Sequence, residues 1–130
     1  MNLIDKAFGI HPQALSLRSQ RSSVIAGNIA NADTPDFKAR DFDFKAVLED
    51  AQGNMKTSFA RTHNRHIPLN DGPNDSTLMY RVPTKAAGNG NTVESEVEQS
   101  AFAENALRYQ TSLEFLSGTI RGMKLAIKGQ

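Results

Sequence analysis

Two groupings of side chains in the sequence are of types that do chemistry. His63 and His66 stand in His-x-x-His spacing, which suits two ligands of one metal ion, and Asp41 and Asp43 alternate with Phe42 and Phe44 as paired carboxylates for acid–base work would. Neither grouping completes a site. The histidines have no carboxylate or third ligand at a diagnostic distance, and their segment reads as loop or strand instead of helix. The aspartates lack a pocket-forming context and read as a helix cap beside a solvated edge, with two rings buried between. Serine, histidine and aspartate all occur, yet neither a nucleophile elbow nor a phosphate-cradling loop accompanies them. The chain has no cysteine, so disulfides, thiolate nucleophiles and cysteine-based metal sites are excluded and the redox compartment stays open. The expectation is a non-enzyme with no catalytic, cofactor-binding or metal-binding residues.

Length and charge narrow the classes further. A chain of 130 residues allows one domain, and its burial is marginal if most apolar groups sit on two long helices. With 15 basic against 14 acidic residues it has no field of either sign to draw nucleic acid or an anionic membrane. Residues 1–10 mix Asp5 and Lys6 among apolar side chains, unlike a cleaved secretory signal, and no stretch reaches transmembrane length.

The elements that carry these groups are mainly helical. Leu3, Ala7, Ile10, Ala14, Leu17 and Val24 hold the helical period, widened by Ile4, Phe8, Leu15, Ile25 and Ile29, so residues 1–32 read as an N-terminal helix, kinked or restarted near Pro12 and firm from 12 to 31. Asn31, Asp33, Thr34 and Pro35 stop it, and a turn follows over 34–37. Residues 33–91 form an irregular middle region. It holds a short helix over 43–52, capped by Asp43 with Phe44, Val47, Leu48 and Ala51 on its apolar face, and a hairpin over 56–82 that pairs 56–62 with 77–82. A C-terminal helix covers 92–128, begun by Asn91 and Glu94 as a capping box and favoured by acids early and bases late.

That last helix carries the firmest pattern in the chain. Phe102, Ala106, Tyr109, Leu113, Leu116, Ile120, Met123 and Ile127 recur at unbroken three-and-four spacing, a coiled-coil seam. With Leu17, Val24 and Ile25 of the N-terminal helix, these residues form the expected assembly interface with neighbouring chains. Leu107, Phe115, Leu125 and Ala126 lie off the seam, so the apolar face is wider than one partner covers. The fold class expected is mainly α, with the terminal helices packing as an antiparallel coiled coil within a multi-helix tube.

The end of the first helix, Asn28-Ile29-Ala30-Asn31-Ala32-Asp33-Thr34-Pro35, continued as Asp36-Phe37-Lys38-Ala39-Arg40-Asp41-Phe42-Asp43-Phe44, resembles the signature of the bacterial flagellar rod and hook proteins. Gly90-Asn91-Thr92-Val93, Glu96 and then Ala103-Glu104-Asn105-Ala106-Leu107-Arg108-Tyr109-Gln110 resemble the same family at its other end. Short length, the Ala-Asp-Thr-Pro variant and the Ala-Arg-Asp-Phe-Asp-Phe continuation are most similar to a proximal rod subunit, with its sister proximal-rod subunit the near alternative. Asp36 stands where the family usually has glycine, which disfavours positive φ and points to a type I turn.

The resemblance implies a structural subunit of the flagellar basal-body rod that polymerises through its terminal helices, transmits torque and encloses the export channel. It implies copies of itself, other rod proteins and the adaptor protein FliE at the rotor and export gate as partners, with no nucleic acid and no membrane insertion. It also implies a periplasmic position reached through the flagellar type III apparatus. Asn28, Asn31, Thr34 and Pro35 are expected to fix the exit of the first helix, and Phe37, Phe42 and Phe44 to anchor the middle region onto a neighbour. The competing readings are a helical-hairpin adaptor or a type III secreted effector, each a folded monomer or dimer with sharp unfolding, and a small hydrolase that would need a compact pocket.

Overall fold

The computed structural model describes residues 7–56, 78–85 and 87–129. Helix α1 spans His11–Ala30, strand β1 Arg40–Asp41, helix α2 Phe44–Lys56, strand β2 Met79–Tyr80 and helix α3 Ser95–Lys128. The described residues are therefore mainly helical, with two long terminal helices and a short middle one. The histidine pair and the first strand of the expected hairpin lie outside the described residues.

Helix α1 restarts where proline demanded it. Gly9 takes φ +55, which a side-chain-bearing residue tolerates poorly, and Pro12 sits in the first turn, where its missing N–H costs no helical bond. At the other end the Asn31 N–H reaches the carbonyls of Gly27 and Asn28, and its side chain donates to Gly27 O at 2.8 Å. Helix α2 begins as expected, with Asp43 Oδ1 accepting the N–H groups of Lys45 at 2.9 Å and Ala46 at 3.2 Å. It runs on past the expected end at 52, so Gly53 does not break it.

Strand β2 pairs antiparallel with β1, setting Arg40 against Tyr80 and Asp41 against Met79. The segment at 77–82 thus finds its described partner in the residues after α1. The Arg81 N–H extends the ladder to Ala39 O at 2.9 Å.

The capping box does not form. Helix α3 starts at Ser95 behind Glu94, which provides no side-chain cap. The Glu94 carboxylate is instead taken by the Thr84 hydroxyl and the N–H groups of Thr84 and Lys85, which hold its pKa below the usual carboxylate range. Asn91 is occupied elsewhere, as described below.

Helices α1 and α3 lie antiparallel: Asn28 meets Glu98, Ser22 meets Asn105, and the His11 ring stacks on Phe115 with centroids 6.1 Å apart. Among the described residues the buried apolar ones are few, namely Ala14, Leu17, Ile25, Ala39 and Phe42. Leu17 and Ile25 therefore serve the chain's own core and are not free to meet a neighbour, whereas Val24 is half-buried.

Helix α3 is turned part-way round from the orientation its seam suggested. The side facing α1 runs through Glu98, Ala101, Asn105, Ser112 and Leu116, which are buried or half-buried. Phe102, Ala106, Tyr109, Leu113, Ile120 and Ile127 stay exposed, with Leu116 and Met123 half-covered. The physical cause is polar: Glu98 and Asn105 have fixed partners on α1 and inside the molecule, and leaving a buried carboxylate unpaired costs more than leaving apolar rings in water.

Candidate functional site

All four described elements near the α1 terminus converge on one chain of charges. The Arg21 guanidinium on α1 grips Asp41 on β1 in a fork, Nε to Oδ1 at 3.0 Å and Nη2 to Oδ2 at 2.8 Å. Arg81, just after β2, donates Nη2 to the same Asp41 Oδ2 at 2.6 Å and Nη1 to Glu98 Oε1 at 2.8 Å. Glu98 is fully buried, and its other oxygen accepts the Asn28 side-chain amide at 3.1 Å. Signs alternate along Arg21, Asp41, Arg81 and Glu98, so each buried charge has an opposite neighbour.

Asp41 and Asp43 thus do different work from each other, and Asp41 is not a solvated edge. Burial pushes the Asp41 carboxyl up, but hydrogen bonds from Arg21, the Phe42 N–H and Arg81, with the Arg21 charge, hold it below its ordinary value. The same bond to Asp41 raises Arg21 against the effect of its own burial. Every oxygen of the cluster is already spoken for by a cation or amide, so the arrangement fixes geometry and has no carboxylate free to move a proton.

The signature residues cluster on this chain of charges. Asn28 Nδ2 donates to Arg40 O at 2.8 Å as well as to Glu98, and its Oδ1 accepts the Arg40 N–H at 3.1 Å, so one buried amide ties α1 to both β1 and α3. Thr34 Oγ1 donates to Asn31 Oδ1 at 3.2 Å, and the Phe37 N–H reaches Thr34 O at 3.4 Å to close the turn. Asn28, Asn31 and Thr34 thus all make hydrogen bonds at or just past the end of α1. Pro35 is exposed at the second position of the turn.

Asp36 takes φ +60, which corrects the type I expectation: the third turn position keeps the left-handed geometry of a type II turn despite lacking glycine. Its conformation is held from across the chain by its N–H bond to Asn89 O at 3.0 Å, and Gly90, at φ +71, leaves room for its carboxylate. Thr92 N–H then bonds Phe37 O at 3.0 Å, and Thr92 Oγ1 accepts the Ala39 N–H at 2.8 Å.

Asn91 is the residue the sequence reading placed wrongly. Its side-chain amide donates to the carbonyls of Asn31, Ala32 and Thr34 at 2.9, 2.7 and 2.9 Å. These are carbonyls at and just past the end of α1, where helical partners run out. Asn91 therefore caps the first helix from sixty residues away and not the last one from next door.

The three phenylalanines divide. Phe42 is 3 % exposed within the chain's own core, so it anchors the middle region inside the molecule and not onto a neighbour. Phe44 is half-buried beneath Arg18, whose guanidinium lies 4.3 Å from the ring centroid. Burial, with Arg108 and Arg21 nearby, lowers the Arg18 pKa. Phe37 is half-buried and lines a groove of about 490 Å³ with Val24, Gly27, Leu78 and Tyr80.

Arg21, Arg81, Glu98, Asn91 and Asn105 escaped the sequence reading as site residues. The signal that could have found two of them is spacing: Glu98 and Asn105 are seven residues apart, hence on one face, and interrupt nothing in the apolar seam beside them. Asn105 Nδ2 donates to Arg18 O and to Ser22 Oγ, both at 2.8 Å.

What α3 leaves uncovered is apolar and large. Leu107 is 66 % exposed, Phe115 62 % and Leu113 45 %. Among the described residues no helix is long and apolar enough to cross a membrane.

A family model described as flagella basal body rod protein matches residues 10–38. The chain is similar to the flagellar basal body rod protein FlgB of Aeromonas hydrophila, at 49 % identity over 97 % of this chain and 96 % of that one. It is 43 % identical to the FlgB of Escherichia coli strain K12, over 95 % and 94 %. With the FlgB of Proteus mirabilis strain HI4320 the identity is 37 % over 98 % of both.

Proposed function

Because the chain belongs to the flagellar basal-body rod protein family, we infer that it works as a structural subunit of the proximal rod, one of the parts from which the flagellar shaft is built. The relatives it matches along nearly their whole length are named FlgB, which favours that subunit over its sister FlgC. The observation that carries the reading is the division of labour on α3: the Glu98 carboxylate and the Asn105 Nδ2 amide bond inside the chain, while large apolar residues of the same helix face outward.

A helix that exposes an apolar seam of this length is made to be covered by other chains. We assign Phe102, Tyr109, Leu113, Ile120 and Ile127 to contacts with neighbouring rod subunits. Stacked helices joined along such seams resist bending and twisting because close-packed interiors deform little, which is what a torque-bearing shaft requires. The charge chain then has a mechanical use: it locks the signature turn to α3, so that the terminal helices move as one body.

The finer assignments follow from the same reading. The subunit stands in the periplasmic rod, contacts the adaptor FliE at the rotor and export gate, and leaves the cell through the flagellar type III apparatus. The small apolar core among the described residues suits passage as an unfolded chain, since little of their burial has to be undone. The subunit is a building part and not a catalyst.

Deletion of the gene tests the function. Loss of swimming, restored by the wild-type chain and accompanied by density for this subunit in images of isolated basal bodies, is the expected result. Deletion strains that still assemble rods and swim would refute it.

A further inference from the structure

The sequence contains a single Asn-Gly pair, Asn89-Gly90. Asparagine is a chemically labile residue, and most so before glycine, because no Cβ on the next residue obstructs attack of its backbone nitrogen on the side-chain amide. Asn28, Asn31, Asn91 and Asn105 are shielded. Asn28 and Asn105 are buried inside helices, Asn31 commits its Nδ2 to Gly27 O, and Asn91 commits its Nδ2 to three carbonyls. Each also precedes a residue with a side chain.

Asn89 differs on every count. It is exposed, in the turn before α3. Its Oδ1 accepts the Asn91 N–H at 3.1 Å, which bends the side chain forward along Gly90 and sets a donor on the oxygen that gains charge when Cγ is attacked. Its Nδ2, the group that must leave, has no hydrogen-bond partner among the described residues. The Gly90 N–H bonds Ala87 O at 3.2 Å, the long end of the ordinary range, so this bond opposes ring closure only weakly.

We propose that Asn89 is a site of spontaneous deamidation in the folded protein, and that its isoaspartyl product releases the grip of Asn91 on the end of α1. The Gly90 nitrogen forms a bond to Asn89 Cγ, the Cγ–Nδ2 bond breaks, and Nδ2 leaves as ammonia with the proton given up by Gly90. Water then opens the resulting imide. Breaking the new Cγ–N bond gives aspartate, whereas breaking the original peptide C–N bond gives isoaspartate, in which the main chain runs on through Cγ and is one methylene longer.

That extra methylene enters where the fold has no slack. Asn89 O accepts the Asp36 N–H at 3.0 Å, the Lys38 ammonium holds Gly90 O, and the Thr92 N–H bonds Phe37 O at 3.0 Å, so residues 89–92 run in fixed register beside 36–37. A Cβ on Gly90 would already collide with Asp36 Oδ1. Lengthening the chain before Gly90 shifts Asn91 and Thr92 against these partners, and the carbonyls of Asn31, Ala32 and Thr34 lose their shared donor.

The purified full-length chain, incubated folded at mildly alkaline pH and then digested, tests the site by peptide mass and by methylation with an isoaspartyl methyltransferase. Asn89 should lose its amide at least about tenfold faster than Asn31 or Asn91, and its peptide should become a methyl acceptor. An Asn89 that keeps its amide in the folded chain, over a time in which the urea-unfolded chain loses it, overturns the proposal.

Urea unfolding tests the loosening. The wild-type midpoint should fall as isoaspartate accumulates, while Asn89→Gln, which would have to close a larger ring, should keep its midpoint through the same incubation. Asn89→Asp carries the new charge without the extra backbone atom and should unfold close to fresh wild type. An aged wild type with an unmoved midpoint, or an equal fall in Asn89→Gln, refutes the released grip. So does an Asn89→Asp variant as weak as the aged chain, since charge alone would then account for the loss.

Discussion

The Asn28 side-chain amide donates to the buried Glu98 carboxylate at 3.1 Å across a separation of 70 residues, and this bond joins the two ends of the chain. Through Arg81 and Asp41 the same carboxylate is tied to β1 and to Arg21 on α1. With only five buried apolar residues among those described, such a chain of charges decides how the helices are rotated as well as whether they pack.

Glu98→Ala should therefore be among the most damaging substitutions on α3. It leaves Arg81 facing Asp41 alone and strips Asn28 of one acceptor, at a cost of about 3–5 kcal/mol for a broken buried pair. Glu98→Gln keeps the shape and one acceptor and should cost less. Urea unfolding of both variants checks this; a loss below about 1 kcal/mol for Glu98→Ala would show that the chain of charges is dispensable.

Acid should loosen the fold through Asp41. Its pKa is lower in the folded chain than the roughly 3.9 of an unfolded aspartate, so the folded state favours the ionised form. The stabilisation is fully present above the unfolded value and is lost as pH falls through about 4 toward the folded value. Asp41→Asn should be less stable than wild type at pH 7 and lose less of its remaining stability between pH 5 and 3. Equal slopes in that window for the two proteins would contradict the assignment.

Asp36 and Gly90 should be energetically coupled. A Cβ placed on Gly90 would collide with Asp36 Oδ1, and both residues hold positive φ. Gly90→Ala should cost about 1–2 kcal/mol for the left-handed backbone, and more for the crowding. Asp36→Gly removes the crowded carboxylate along with a strained residue. The cost of Gly90→Ala should shrink in the Asp36→Gly background, and strictly additive effects in a double-mutant cycle would show that the contact carries no energy.

Local signals were legible in the sequence wherever a single residue's chemistry decides the outcome. Pro12 marked the restart of α1, Asp43 the start of α2, and Asn31 with Thr34 the stop of α1, because each acts on neighbours within four residues. Choices between distant partners were not legible. Asn91 and Glu94 had the types and spacing of a capping box, but the carbonyls after α1 and the Thr84–Lys85 amides competed for them and won. The seam from Phe102 to Ile127 was read correctly as apolar and periodic, yet periodicity fixes a face and not what lies against it. Glu98 and Asn105, one face over, set the rotation. Arg81 could not be placed at all from spacing, since its partners Asp41 and Glu98 lie 40 and 17 residues away.

Phe42 and Leu113 separate folding from assembly. Phe42 is 3 % exposed in the chain's core, so Phe42→Ser removes a packed ring and buries a hydroxyl without an assigned partner, at about 3–5 kcal/mol. Leu113 is 45 % exposed on the outward seam, and Leu113→Ser should alter the stability of the isolated chain by less than about 1 kcal/mol. Both variants should impair swimming, for different reasons. The Phe42 variant should show a lowered unfolding midpoint before any assembly occurs. The Leu113 variant should unfold like wild type and fail only where neighbouring chains are required, because its side chain gains its burial from them. Comparing the urea midpoint of each purified chain with its motility in a deletion strain gives both readouts. A Leu113 variant with lowered intrinsic stability and normal swimming would mean that the seam is satisfied within one chain after all, and the exposed face would lose its role in the rod.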